Sequence, residues 1–138
     1  MTKDNEYYAY FTVVGDFDPT EITAQLGLQP TDCWMKGSRN EKTHKERTFS
    51  RWSIYSRLSR ADSLEDQLRD VVEQLELVKA AVIQTAANFK SYINLVGYFY
   101  IDFPGLVFDS SIIARLAALK LGFDCDFYYM YSDKREDS

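Results

Sequence analysis

The chain is poor in the residues that specialised protein classes need. With 6 glycines and 3 prolines in 138 residues, it is far from collagen-like, low-complexity or disordered sequences. Its 2 cysteines, Cys33 and Cys125, lie far apart and form no C-x-x-C pair. That spacing excludes a zinc knuckle and a thioredoxin-like redox motif, and leaves two free, buried, reduced thiols as the expectation. The one histidine, His44, would have to serve any Ser-His-Asp, Cys-His or two-histidine metal arrangement alone. No run approaches the ~20 apolar residues of a membrane span. The start, MTKDNEYYAY, has neither the basic nor the apolar region of a signal peptide, so a cytoplasmic location is expected. Neither G-x-G-x-x-G nor Walker spacing occurs, and no cofactor is implied.

What is present is an ordinary globular balance, 46% hydrophobic and 27% charged, with an unusual 15% of aromatic residues. The length suits one domain over residues 1–131, followed by a charged tail, 132–138, expected to be disordered. The net charge of -5 is unevenly placed. Between positions 36 and 60 stand Lys36, Arg39, Lys42, Lys45, Arg47, Arg51, Arg57 and Arg60 against only Glu41 and Glu46. The rest is strongly acidic and repels polyanions at long range.

Along the chain, YYAYFTVV (7–14) reads as a strand ending at Gly15. Asp18, Pro19 and Glu21 then form the start of a short helix, which Gly27 and Leu28 close with left-handed cap chemistry. A short strand around Cys33 and Trp34 leads into a polar excursion, Gly37 to Thr48, long enough to be the first place to seek a site. FSRWSIYSRL alternates, with Trp52, Ile54 and Leu58 on one side and Arg51, Ser53, Tyr55 and Arg57 on the other. From Ser63 the positions Leu64, Leu68, Val71, Leu75, Val78 and Val82 step by four and three. They predict one helical stripe to about Asn88, packed on a sheet, with a length that admits a kink. SYINLVGYFYI is a further strand. Asp109 caps a helix through Leu119, Gly122 and Phe123 repeat the left-handed cap, and Cys125 to Tyr131 form the last strand.

This order predicts an α+β fold: a ferredoxin-like β-α-β-β-α-β core extended by an α-β unit, with helices on one face of a mixed or antiparallel sheet. The run ITAQLGLQPTDCWMKG, with the later Trp52 strand and the pair Asp126 and Tyr128, resembles the bacterial domain-of-unknown-function family 4279. It departs where SRW stands for the glycine expected ahead of the tryptophan. The resemblance implies a small α+β domain and carries no catalytic residues.

The residues supply no catalytic or metal constellation. His44 sits among Lys42, Lys45 and Arg47, and the pairs Asp16 with Asp18 and Asp124 with Asp126 offer too few oxygen ligands for a cation. Tyr8, Tyr10, Tyr92, Tyr98 and Tyr128 occupy alternate strand positions, where they would line the sheet face the helices leave open. The leading expectation is a noncatalytic protein-interaction module that binds itself, as a homodimer, or another protein, including an antidote-like variant covering a basic partner. The second reading is nucleic-acid or anion binding through a loop site of Trp34, Lys36, Arg39, Lys42, His44, Lys45, Arg47, Arg51 and Trp52, although the pI near 4.9 disfavours polyanions. The third is an enzyme of unknown class, seated in a pocket that pairs Trp34 with Trp52.

Overall fold

The computed structural model describes residues 3–131. The expected tail at 132–138 lies outside them. The elements run β1 (Glu6–Gly15), α1 (Pro19–Leu26), β2 (Asp32–Trp34), β3 (Ser50–Tyr55), α2 (Leu64–Glu76), α3 (Lys79–Asn88), β4 (Lys90–Phe99), α4 (Ser110–Ala118) and β5 (Phe123–Tyr129). They make an α+β fold with one five-stranded mixed sheet, ordered β2-β3-β1-β4-β5. Every neighbouring pair is antiparallel except β4 and β5, which run parallel and are joined through α4.

Period-two alternation divides the sheet into two faces. Ala9, Phe11 and Val13 of β1, Trp52 and Ile54 of β3, and Ile93 and Leu95 of β4 are buried with residues of all four helices in one core cluster. Its largest member, Trp52, is fully buried and donates its indole N–H to Thr23 Oγ1 at 3.0 Å. Thus the polar atom of this tryptophan is satisfied by α1.

Local signals set the helix ends. Asp18 caps α1 by accepting the N–H and hydroxyl of Thr20, and Gly27, at φ 69, closes it by donating to Thr23 O. Ser63 caps α2 by accepting the N–H of Asp66 at 3.1 Å. The stripe from Leu64 to Val82 does not make one straight helix. Val78 leaves helical geometry at φ -129, ψ 39, and the chain turns there, so that α2 covers β1 and β4 while α3 lies along α1. A straight helix of that length would have carried Val82 and Thr85 beyond the core in which both are now buried. The second left-handed cap also falls elsewhere. Lys120, at φ 64, terminates α4 in place of Gly122, because Leu119 and Leu121 are both drawn into the core and fix the turn between them. Leu58, expected beside Trp52 and Ile54, lies past the end of β3 and is exposed.

β3 is shorter than β1, which leaves Glu6 to Ala9 of β1 without a strand partner on that side. Pairing runs from Tyr10↔Tyr55 to Gly15↔Ser50. Beyond it, Ser56 N–H reaches Ala9 O and Tyr7 N–H reaches Arg60 O, both at 2.9 Å. The gap between them is filled by one side chain of α2, Gln67. Its Oε1 accepts Ala9 N–H at 3.1 Å, and its Nε2 donates to Tyr7 O at 2.8 Å, Ser59 O at 3.0 Å and Asp62 O at 3.1 Å. The amide of Gln67 therefore imitates a peptide group of the missing strand.

Both cysteines are exposed, contrary to the expectation of buried thiols. Cys33 pairs with Trp52 and Cys125 with Leu95, so each belongs to the core-side register, but β2 and β5 are the two edge strands, and there both side chains stay exposed. Burial pushes the Cys125 thiol pKa up, and the neighbouring carboxylates of Asp124 and Asp126 add to that shift.

Candidate functional site

Even-numbered residues of β1 and β4 point away from the helices. Their register brings Tyr10 beside Tyr55 and Asn94, Tyr8 beside Val96, Thr12 beside Tyr92, and Tyr98 beside Tyr128. All five tyrosines singled out in the sequence, Tyr8, Tyr10, Tyr92, Tyr98 and Tyr128, thus share the open face. Tyr55, whose alternation with Arg51 was the available signal, joins them. The rings pave the surface. Tyr10 stacks on Tyr55 with centroids 4.6 Å apart, Tyr98 stacks on Tyr128 at 5.0 Å, and Tyr8 meets Tyr98 edge-on at 5.9 Å. Tyr8, Tyr10, Tyr55 and Tyr98 wall a depression of about 310 Å³ floored by Val96 and rimmed by Arg60.

Hydrogen bonds hold this pavement in place. Asn94, buried beneath it, donates to Tyr10 OH at 2.7 Å and to Asp126 Oδ2 at 3.0 Å. Burial pushes the phenol pKa values of Tyr55 and Tyr92 up, with Arg51 opposing the shift at both. Both therefore present neutral hydroxyls at neutral pH.

Cations lie over the rings. The Arg60 guanidinium is 4.5 Å from the Tyr8 centroid and Lys90 Nζ is 5.4 Å from that of Tyr92. Arg51 lies over both Tyr10, at 5.2 Å, and Trp34, at 5.3 Å, and Arg47 covers Trp34 at 4.8 Å. Arg60 is marked in the sequence only as part of the basic segment 36–60, and Lys90, just ahead of the SYINLVGYFYI run, by nothing.

The loop residues are divided by the fold. Trp34 and Arg51 are register partners on the open face, and Arg47 reaches them from the excursion. That excursion is ordered as a small hairpin. Arg39 and Glu46 pair through their backbones as an isolated antiparallel bridge, Asn40 N–H reaches Lys45 O, and Asn40 Oδ1 accepts the N–H groups of Lys42 and Thr43. Lys42, His44 and Lys45 are exposed near its tip, with His44 in the left-handed region at φ 60. Lys36 turns away to Asp16 at 3.1 Å. Trp52 separates from the group altogether, because its position places it on the core face. Trp34 and Trp52 therefore lie on opposite faces of the sheet and line no common pocket.

Among the described residues, no group of three or more His, Cys, Asp or Glu side chains is placed to hold a metal ion. No helix among them is long and apolar enough to cross a membrane. A family model described as a domain of unknown function, DUF4279, matches residues 5–130. The chain belongs to that family. The match takes in both the ITAQLGLQPT run and the last strand of this DUF4279 domain, so the resemblance seen in the sequence extends over the whole sheet. No curated protein and no solved structure matches the chain.

Proposed function

We propose that the domain is a noncatalytic interaction module of the cytoplasm that docks a protein partner on the open face of its sheet. One observation carries this reading: six tyrosines, on four of the five strands, share the face without helices, five of them half-buried and Tyr128 exposed at its edge. Tyrosine contributes apolar area with little conformational entropy to lose, while its hydroxyl remains wet, which suits a surface that alternates between water and a partner. The exposed thiols of Cys33 and Cys125 suit a reducing compartment. The strand order and antiparallel pairing of β2, β3, β1 and β4 support assigning them to a ferredoxin-like core, with α4 and β5 as an added crossover unit.

Nucleic-acid binding is the weaker reading, because a base needs a free ring face. Here Trp34, Tyr8, Tyr10 and Tyr92 are already covered by guanidinium or ammonium groups, and Tyr98 by Tyr128. The test is a tagged pull-down from lysate at moderate salt, read by mass spectrometry and by the 260/280 absorbance ratio of the eluate. A stoichiometric protein, or a second copy, lost on combining Tyr10→Ser with Tyr98→Ser supports the reading. Retention of the partner by that variant, or nucleic acid that leaves as salt rises, overturns it.

A further inference from the structure

We infer that the corner of this face built on Trp34 is a carboxylate-recognition site for an acidic segment of the partner protein. The inference rests on the open face being the docking surface and names the chemistry that one corner of it would read.

The first ground is how the arginines are partnered. Arg57 meets Asp70, Arg60 meets Glu6, Arg69 meets Asp66 and Arg115 meets Glu76, each within salt-bridge distance. Arg39, Arg47 and Arg51 have no carboxylate partner among the described residues, in a chain with 21 acidic residues against 16 basic ones. These three converge. Arg47 and Arg51 lie over the Trp34 ring, and Arg39 lines a depression beside it.

The second ground is preorganisation. Each guanidinium is held by neutral acceptors, and those of Arg47 and Arg51 also by stacking, so that no carboxylate within the described residues takes up their charge. Arg51 Nε donates to Thr12 Oγ1 at 3.0 Å and Ser53 Oγ at 3.2 Å, and Arg47 donates to Ser38 Oγ at 3.2 Å. Arg39 donates to His44 O at 3.0 Å. Trp34 is itself anchored, its indole N–H on Phe49 O at 3.0 Å. Arg51 thus uses one of its three nitrogens, and both terminal nitrogens have no acceptor among the described residues. Two parallel N–H groups on a held plane match a carboxylate in bidentate fashion. Asp32 and Glu41 line the same depression, which disfavours a dense polyanion and favours separated carboxylates on a segment that also places apolar side chains on the neighbouring tyrosines.

The test uses the full chain and, as probe, a synthetic hexapeptide of alternating glutamate and phenylalanine, with an oligothymidylate as the competing anion. Binding is followed by the indole N–H resonance of Trp34 in about 0.15 M salt, where long-range attraction is screened. The expected result is a saturable shift. Arg51→Gln should weaken it about tenfold, the loss of one charge-assisted pair, whereas Lys45→Gln, which removes the same charge from the same segment, should leave it near wild type. If Arg51→Gln fails to fold by circular dichroism, Arg47→Gln makes the same comparison. No saturable shift, equal effects of Arg51→Gln and Lys45→Gln, or binding of the oligothymidylate alone overturns the site. So does a concentration-dependent dimer that Arg51→Gln dissolves, since the occupant is then a second copy. A captured partner lost in the Tyr10→Ser, Tyr98→Ser variant but kept by Arg51→Gln removes this site and leaves the docking face standing.

Discussion

Gln67 offers the sharpest test of how the sheet is completed. Gln67→Met keeps the length and flexibility of the side chain and deletes its amide. Ala9 N–H then has no acceptor at the end of β1, and Tyr7 O, Ser59 O and Asp62 O lose their shared donor. The Ala9–Gln67 bond is closed to water: Gln67 is 2% exposed and Ala9 1%. One buried orphaned N–H and one or two weakened carbonyls together cost about 2–4 kcal/mol. For a domain of this size that lowers the melting temperature by about 8–16 °C. Gln67→Glu makes a second, directional comparison. A buried carboxylate keeps the acceptor for Ala9 N–H but faces three carbonyls with no proton to offer, so burial raises its pKa in the folded state. Its protonated form is the compatible one. Stability of Gln67→Glu relative to wild type should therefore be lowest at neutral pH and recover as pH falls toward the ordinary glutamate range. Urea titrations followed by far-ultraviolet circular dichroism at pH 7 and pH 5 measure both. A Gln67→Met cost below about 0.5 kcal/mol, or a Gln67→Glu deficit independent of pH, would refute the strand-surrogate reading.

Asp70 should show the opposite pH dependence. Burial raises its carboxyl pKa, but the side-chain and backbone N–H groups of Arg57, with Gln74, outweigh that and hold it below the ordinary value. Its stabilisation is complete above the unfolded pKa and is lost as pH falls through the folded one, so the gap between wild type and Asp70→Asn should close in acid. Because Arg57 is largely exposed and screened, that gap at pH 7 should be about 1–2 kcal/mol by denaturant titration. Gly97→Ala should cost about 1–3 kcal/mol in the same assay. A methyl there would lie 2.6 Å from Cζ of Phe99, whose ring is held by Tyr7, Phe103 and Phe127, and Phe99→Leu in the same chain should recover part of the loss. Both thiols should react with a disulfide reagent in the native state without denaturant, and Cys125 should react more slowly than free cysteine because its thiolate is disfavoured.

What the sequence disclosed follows the range of the forces involved. Alternation and caps are local, and they placed Tyr8, Tyr10 and Tyr98 on one face and Asp18, Ser63 and Asp109 at helix starts. The break at Val78 is tertiary. Val78 continues the apolar stripe, and the packing of α3 on α1 and β4 favours the turn. Thiol exposure depends on strand order, which no single strand encodes, since Cys33 and Cys125 look like core positions until β2 and β5 prove to be edges. Trp52 is close to the basic loop in sequence, but its alternation with Ile54 assigns it to the core, where the structure has it. The arginine cluster was visible only as charge density, because Arg47 and Arg51 meet Trp34 once the hairpin and the β2–β3 pair have formed.

The placement of the two tryptophans makes the domain its own optical instrument. Trp52 is sealed in the core beside Phe11, so its emission follows global unfolding and is shielded from quenchers in the solvent. Trp34 sits on the opposite face under two guanidiniums, which concentrate iodide around it and should make it the component that iodide extinguishes first. One unlabelled sample should thus yield an iodide-shielded component and an iodide-sensitive one. The shielded one reports whether the fold survives a substitution, and the iodide-sensitive one reports whether the tyrosine face is occupied.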